Sequence, residues 1–208
     1  AAILIGGLIL NIRPDPTRTL ISLAALIVGF VISQISSYYV SRFVRSPRFD
    51  DIIADNLSKL NNDYTFFVYS SPIPMLLTGP HGIWIPIPLT ASGEITYDGK
   101  WKQKGGNFFL KLFGQETLGK PERDIEVREK QVRDLLEQNL DENQIPPINS
   151  ILVSLHPKAT IGDVEDAPTP IVTLDALRRS IRKVDRKREE EISQQTLNKI
   201  NEVIEERS

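Results

Sequence analysis

The residues Asp98-Gly99-Lys100, with Glu94 one strand face away, gather two carboxylates and a cation, side-chain types that could serve metal-assisted phosphodiester hydrolysis. That chemistry needs hard carboxylate oxygens to hold Mg²⁺, and a cation to activate water or stabilise developing charge. Asp-Gly is also a strong hairpin-turn signal, which places the set on a loop and not on a rigid strand, so no catalytic role is assigned to it. His81 and His156 each stand beside a proline, and two isolated histidines in a chain without cysteine make a poor metal site. Both read as turn residues. No phosphate-binding glycine loop with its lysine occurs, and no Gly-x-Ser-x-Gly elbow. The sequence therefore assigns no catalytic residue, no metal ligand and no cofactor.

Charge offers one further candidate. The 208-residue chain carries a formal net charge of -2, which proposes no polyanion partner globally, yet seven cations crowd Arg178 to Arg188. Arg178, Arg179, Arg182, Lys183 and Arg186 are the candidate contacts for anionic lipid headgroups or nucleic acid. The competing reading is a solvated helix in which Arg186 with Glu190 and Lys187 with Glu191 form i,i+4 pairs. Glu189, Glu190 and Glu191 follow at once and no aromatic side chains are interleaved for base stacking, so the solvated helix is preferred and nucleic acid is not expected as a partner.

The elements that would position these residues begin with an apolar segment. Thr19 to Val40 holds no charged side chain between Arg18 and Arg42, and a helix of that length crosses the roughly 30 Å apolar core of a bilayer. Tyr38 and Tyr39 leading to Arg42, Arg45 and Arg48 suit a headgroup interface. Ala1 to Leu10 is a second apolar run, expected to be an incomplete first leg that continues upstream of Ala1, and residues 11–18, with Pro14 and Pro16, are expected to link the legs of a transmembrane hairpin. Ala25, Gly29, Ser33 and Ser37 recur every fourth residue, a small-residue stripe for membrane helix packing against the first leg or another subunit. The greater basic count at the exit predicts a cytoplasmic soluble domain, and the lack of cysteine agrees with that compartment.

Beyond Pro47, Asp50 to Leu60 is predicted as a helix with Asp50 as N-cap. Runs at 64–69, 75–78, 83–87, 94–97 and 101–102 are predicted to form an antiparallel meander, with Pro86 and Pro88 making the third strand irregular or exposed on one side. Glu122 to Leu140 reads as an amphipathic helix with Ile125, Val132, Leu135, Leu136 and Leu140 inward. A strand at 151–155, a short one at 170–172 and a helix capped by Thr173 follow. This order defines an α+β fold. Ile192, Leu197, Ile200 and Ile204 give the tail an apolar stripe for its own domain or for a partner.

Leu76-Leu77-Thr78-Gly79-Pro80-His81-Gly82-Ile83-Trp84-Ile85, then Gly93-Glu94-Ile95 and Gly99-Lys100-Trp101, resemble the core of the nuclease-related domain family, often called NERD. The resemblance covers roughly Asp50 to Leu155 and implies a restriction-endonuclease-like mixed sheet flanked by helices. It also implies an Asp near Pro74 and a Glu-x-Lys pair at Ile87-Pro88-Leu89, where this chain has no such side chains. The expected organisation is thus a transmembrane hairpin over 1–45, a nuclease-like domain over 46–184 and a helical tail over 185–208. The expected role is a non-enzymatic, membrane-anchored accessory or scaffolding subunit, with the lipid bilayer and other membrane protein subunits as partners. The alternative is a membrane-tethered nuclease or nucleic-acid binder.

Overall fold

The computed structural model describes residues 16–39, 48–68, 73–106, 116–188 and 190–206. The chain divides into two compact units, Ala1–Arg48 and Phe49–Ser208.

In the first unit, helix α1 (Pro16–Tyr39) is 24 residues long, about 36 Å at the helical rise of about 1.5 Å per residue. Proline suits the first helical turn because its missing N–H would have no intrahelical partner there. Pro16, Thr17 and Arg18, expected in an interhelical link, are therefore the opening turn of the helix. The window Thr19–Ser36 has a mean hydropathy of 2.1, long and apolar enough to cross a membrane. Its large side chains are exposed, with Leu20 at 69 %, Phe30 at 55 % and Leu26 at 41 %. In the small-residue stripe Gly29 is half-buried while Ala25 and Ser33 are exposed. The Ser37 side chain and the expected first leg lie outside the described residues.

The second unit opens with α2 (Phe49–Leu57), which buries Ile53 and Leu57. Asp50, expected as the N-cap, sits inside the first turn with Asp51, where carboxylates oppose the positive end of the helix dipole. Strands β1 (Thr65–Val68), β2 (Met75–Gly79) and β3 (Gly82–Leu89) form an antiparallel meander. The hairpin of β4 (Gly93–Tyr97) and β5 (Trp101–Lys104) does not continue it. It builds a second, three-stranded sheet in the order β5-β4-β7, where β7 (Ala159–Ile161) lies parallel to β4. The five-stranded sheet runs β1-β2-β3-β6-β8, with β6 (Ile148–Ser154) and β8 (Ile171–Thr173) both added in parallel. The architecture is α+β with mixed sheets.

Strand β3 is central and nearly all buried, an unexpected place for Pro86 and Pro88. The ladder explains it. Ile83 donates its N–H to Pro147 on the β6 side, so with the period of two along a strand the nitrogens of residues 84, 86 and 88 face β2. Pairing with β2 ends at Trp84, and both prolines fall beyond it, where no ladder donor is required.

The two faces of this sheet carry separate cores. Ile83, Ile85, Ile87 and Leu89 project toward α3 (Pro121–Glu137), whose Val132, Leu135 and Leu136 are buried with them. Trp84 projects to the other side, with Ile53 and Leu57 of α2 and Leu177 and Ile181 of α4 (Leu174–Asp185). Thr173 is the N-cap residue of α4, but its side chain makes no capping bond. Helix α5 (Gln194–Glu205) is capped by Ser193, which accepts from Thr196 N–H, and buries Leu197, Ile200 and Ile204. Ile200 and Ile204 join the α3 core, and Thr78 on β2 donates to Asn201 at 2.7 Å. The apolar stripe of the tail thus docks on its own domain.

Candidate functional site

The positions implied for nuclease chemistry lie just before β2 and on β3. Pro74 immediately precedes β2, and Ile87 and Leu89 lie on the β3 face packed against α3, at 2 % and 5 % exposure. Side chains at 87 and 89 therefore occupy core volume and offer no ligand atom. Among the described residues, no three His, Asp or Glu side chains are grouped to hold a metal ion.

Asp98-Gly99-Lys100 forms the β4–β5 turn, with Gly99 at φ 65° and the Asp98 N–H donating to the Lys100 carbonyl. Asp98 is exposed and pairs with Lys102, whose hydrogen bond and charge hold its carboxyl below the usual range. Glu94 lies back on β4 beside Gly162, where an added Cβ would stand 2.8 Å from Thr96 Cγ2 and 2.9 Å from Glu94 Oε1. The turn thus holds a surface ion pair, apart from Glu94 and on a different sheet from β3.

The cationic candidates do share a surface. The outer side of α4 and the turn that follows it present Arg178, Arg179, Arg182 and Lys183, then Arg186 and Lys187, with Asp175 as the one acidic side chain among them. Arg182 donates to the Lys59 carbonyl at 3.4 Å, and Arg178 is half-buried with its Nε unpaired. The i,i+4 pairs expected with Glu190 and Glu191 do not form. Helix α4 stops at Asp185, and the chain turns away because Arg188 donates to the His81 carbonyl at 2.6 Å and to Asn149 Oδ1 at 2.8 Å. Glu190 and Glu191 instead lie beside His81, which donates from Nδ1 to the Glu190 carbonyl. Among the described residues none of the six cations makes an ion pair.

Arg188 also explains the β2–β3 turn. Gly82 has φ 147°, and a Cβ there would stand 2.6 Å from the Pro147 carbonyl and 3.0 Å from the Arg188 guanidinium, so only glycine lets the clamp close.

Two polar clusters carry no sequence motif. Asp185, 3 % exposed, accepts from Tyr64 Oη at 2.5 Å and Trp84 Nε1 at 3.2 Å. Burial, then the bond to Asp185, raises the Tyr64 phenol well above its ordinary value. The signal for Asp185 was its place four residues after Ile181 and eight after Leu177, on the apolar stripe of α4. In the second cluster Glu116 accepts from Ser92 Oγ and lies 3.4 Å from His156 Nε2. Lys158 N–H donates to His156 Nδ1, which leaves Nε2 to carry the proton toward Glu116. Because the serine proton is held by the carboxylate and not by the imidazole, this is no nucleophile-base arrangement. It ties residue 116 to the small sheet, as does Gln103, which donates to the Ser92 and Glu116 carbonyls.

Comparison with protein-family models, with curated proteins and with solved structures finds no match to this chain.

Proposed function

We propose that the protein is a membrane-anchored, non-enzymatic accessory or scaffolding subunit, in which α1 holds a nuclease-like domain at the cytoplasmic surface. The observation that carries this reading is the combination of an apolar helix exposed along its length with a central strand whose Ile87 and Leu89 are packed into the core. A helix apolar on all sides is satisfied by lipid, or by a partner helix within lipid. A mixed sheet covered by helices on both faces supports the nuclease-like reading of the domain. At positions 87 and 89, hydrolysis would require a carboxylate and a cation that Ile and Leu cannot replace.

Affinity capture of the intact chain from native membranes tests the subunit role. The expected result is co-purification of membrane proteins at a fixed stoichiometry. Mg²⁺-dependent cleavage of plasmid DNA by the purified chain, abolished in Asp98→Ala, would overturn the non-enzymatic reading in favour of a tethered nuclease.

A further inference from the structure

We infer that the outer face of α4 is a docking surface for anionic phospholipid headgroups, holding the domain against the bilayer that α1 enters. The inference rests on the membrane-anchored reading. Three observations converge on it. The face carries six cations against one carboxylate, with no ion pair to neutralise them among the described residues. Glu190 and Glu191, which would have compensated Arg186 and Lys187, lie instead beside His81, where the Arg188 clamp on His81 and Asn149 turns the chain. Residues 40–48 covalently join α1 to α2, so docking of the domain on the membrane that α1 enters is an intramolecular event.

Charge complementarity selects the occupant. Near an anionic leaflet each Lys or Arg contributes about 1 kcal/mol, a factor of about five in the docking equilibrium, and the tether makes docking intramolecular. A lipid surface needs no base-stacking platform, and the face has no aromatic side chain among the residues that line it. The inner side of the same helix is fixed by Leu177, Ile181 and Asp185, so Arg178, Arg179, Arg182 and Lys183 are displayed on a packed helix, with Arg186 and Lys187 in the turn directly after it.

The test uses the full chain reconstituted in nanodiscs of phosphatidylcholine alone or of equal parts phosphatidylcholine and phosphatidylglycerol. The chain has no cysteine, so Asp175→Cys gives a unique fluorophore site on the face, read by nitroxide-labelled lipid headgroups. Quenching is expected in the anionic discs and not in the neutral ones. It should fall as salt is raised, and docking should drop about five-fold for each cation removed. Combined Arg179→Glu, Lys183→Glu, Arg186→Glu and Lys187→Glu, all at exposed positions, should abolish it. The salt titration of the parent chain keeps the test valid if that variant misfolds. Equal quenching in both lipid compositions overturns the inference while leaving the anchor intact. Salt-sensitive oligonucleotide binding lost in the reversal variant, with no effect of lipid charge, overturns it in favour of nucleic acid. Failure of the chain to enter discs at all overturns the anchored reading and the inference with it.

Discussion

A carboxylate as buried as Asp185 persists in a fold only when its lone pairs are occupied, and here a phenol and an indole occupy them. The three residues join the last turn of α4 to β3 and to the entry of β1. Asp185→Ala strands the hydroxyl of half-buried Tyr64 and the buried Trp84 N–H at once, and is expected to cost about 3 kcal/mol in denaturant unfolding followed by tryptophan fluorescence. Tyr64→Phe removes one donor and should cost less. The same pair sets an alkaline limit. Burial and the bond to Asp185 raise the Tyr64 phenol above its unfolded value of about 10, so its contribution is complete below that pH and is lost as pH climbs through the higher folded value. Unfolding midpoints of the parent chain should therefore fall above about pH 10. Tyr64→Phe should flatten that limb, and an unchanged limb would remove Tyr64 from the account. Of this network only Asp185 leaves a local trace, one absent from the sequence-based expectations: an Asp on an apolar helical stripe must be buried or be out of place. Its partners leave none, because they lie 121 and 101 residues away along the chain and no local pattern links them.

At the scale of elements, local signals read well and pairings did not. Periodicity located α3, α4 and the tail helix, and Asp98-Gly99 located a real hairpin. Whether that hairpin extended the meander was decided by β7, three residues whose composition signals nothing and whose pairing with β4 is long-range. Likewise α4 was expected to run on through Glu191, but the clamp of Arg188 on the β2–β3 turn ends it, a competition between helix propagation and a distant acceptor. Two substitutions test the packing these elements share. Ile200→Ala opens a cavity beneath α5 at a fully buried position and should lower stability by about 3 kcal/mol, showing the tail to be part of the fold. Ile87→Glu with Leu89→Lys would install the Glu-x-Lys pair that the family resemblance implies. Because both positions face α3, the pair should destabilise the domain by several kcal/mol and bring no Mg²⁺-dependent cleavage. A variant as stable as the parent that cuts DNA would show instead that β3 retains the geometry of an active site.

For the whole molecule, the question is what α1 does for the remainder. A soluble protein of this size does not hold 24 residues of helix with Leu20, Leu26 and Phe30 open to water unless another apolar phase takes them up, because each such side chain loses about 1.5–3 kcal/mol by remaining hydrated. An excised signal would end in a small-residue cleavage site, whereas this helix ends at Tyr38 and Tyr39 and is followed by Arg42, Arg45 and Arg48. The intact chain is therefore expected to stay in the membrane pellet after alkaline carbonate washing. Leu26→Asp with Phe30→Asp should release much of it, since a carboxylate near the middle of a span costs about 3 kcal/mol on insertion scales. The proposed cytoplasmic placement of the domain rests on the arginines beyond the helix, Arg42, Arg45 and Arg48, outnumbering Arg13 and Arg18 before the apolar stretch. Protease added outside sealed cells should leave the domain uncut, and protease added to inverted vesicles should digest it. Digestion in intact cells would reverse the orientation while keeping the anchor, and would set the cationic face of α4 against the opposite leaflet, where anionic lipid is scarcer and the docking proposed above would fail.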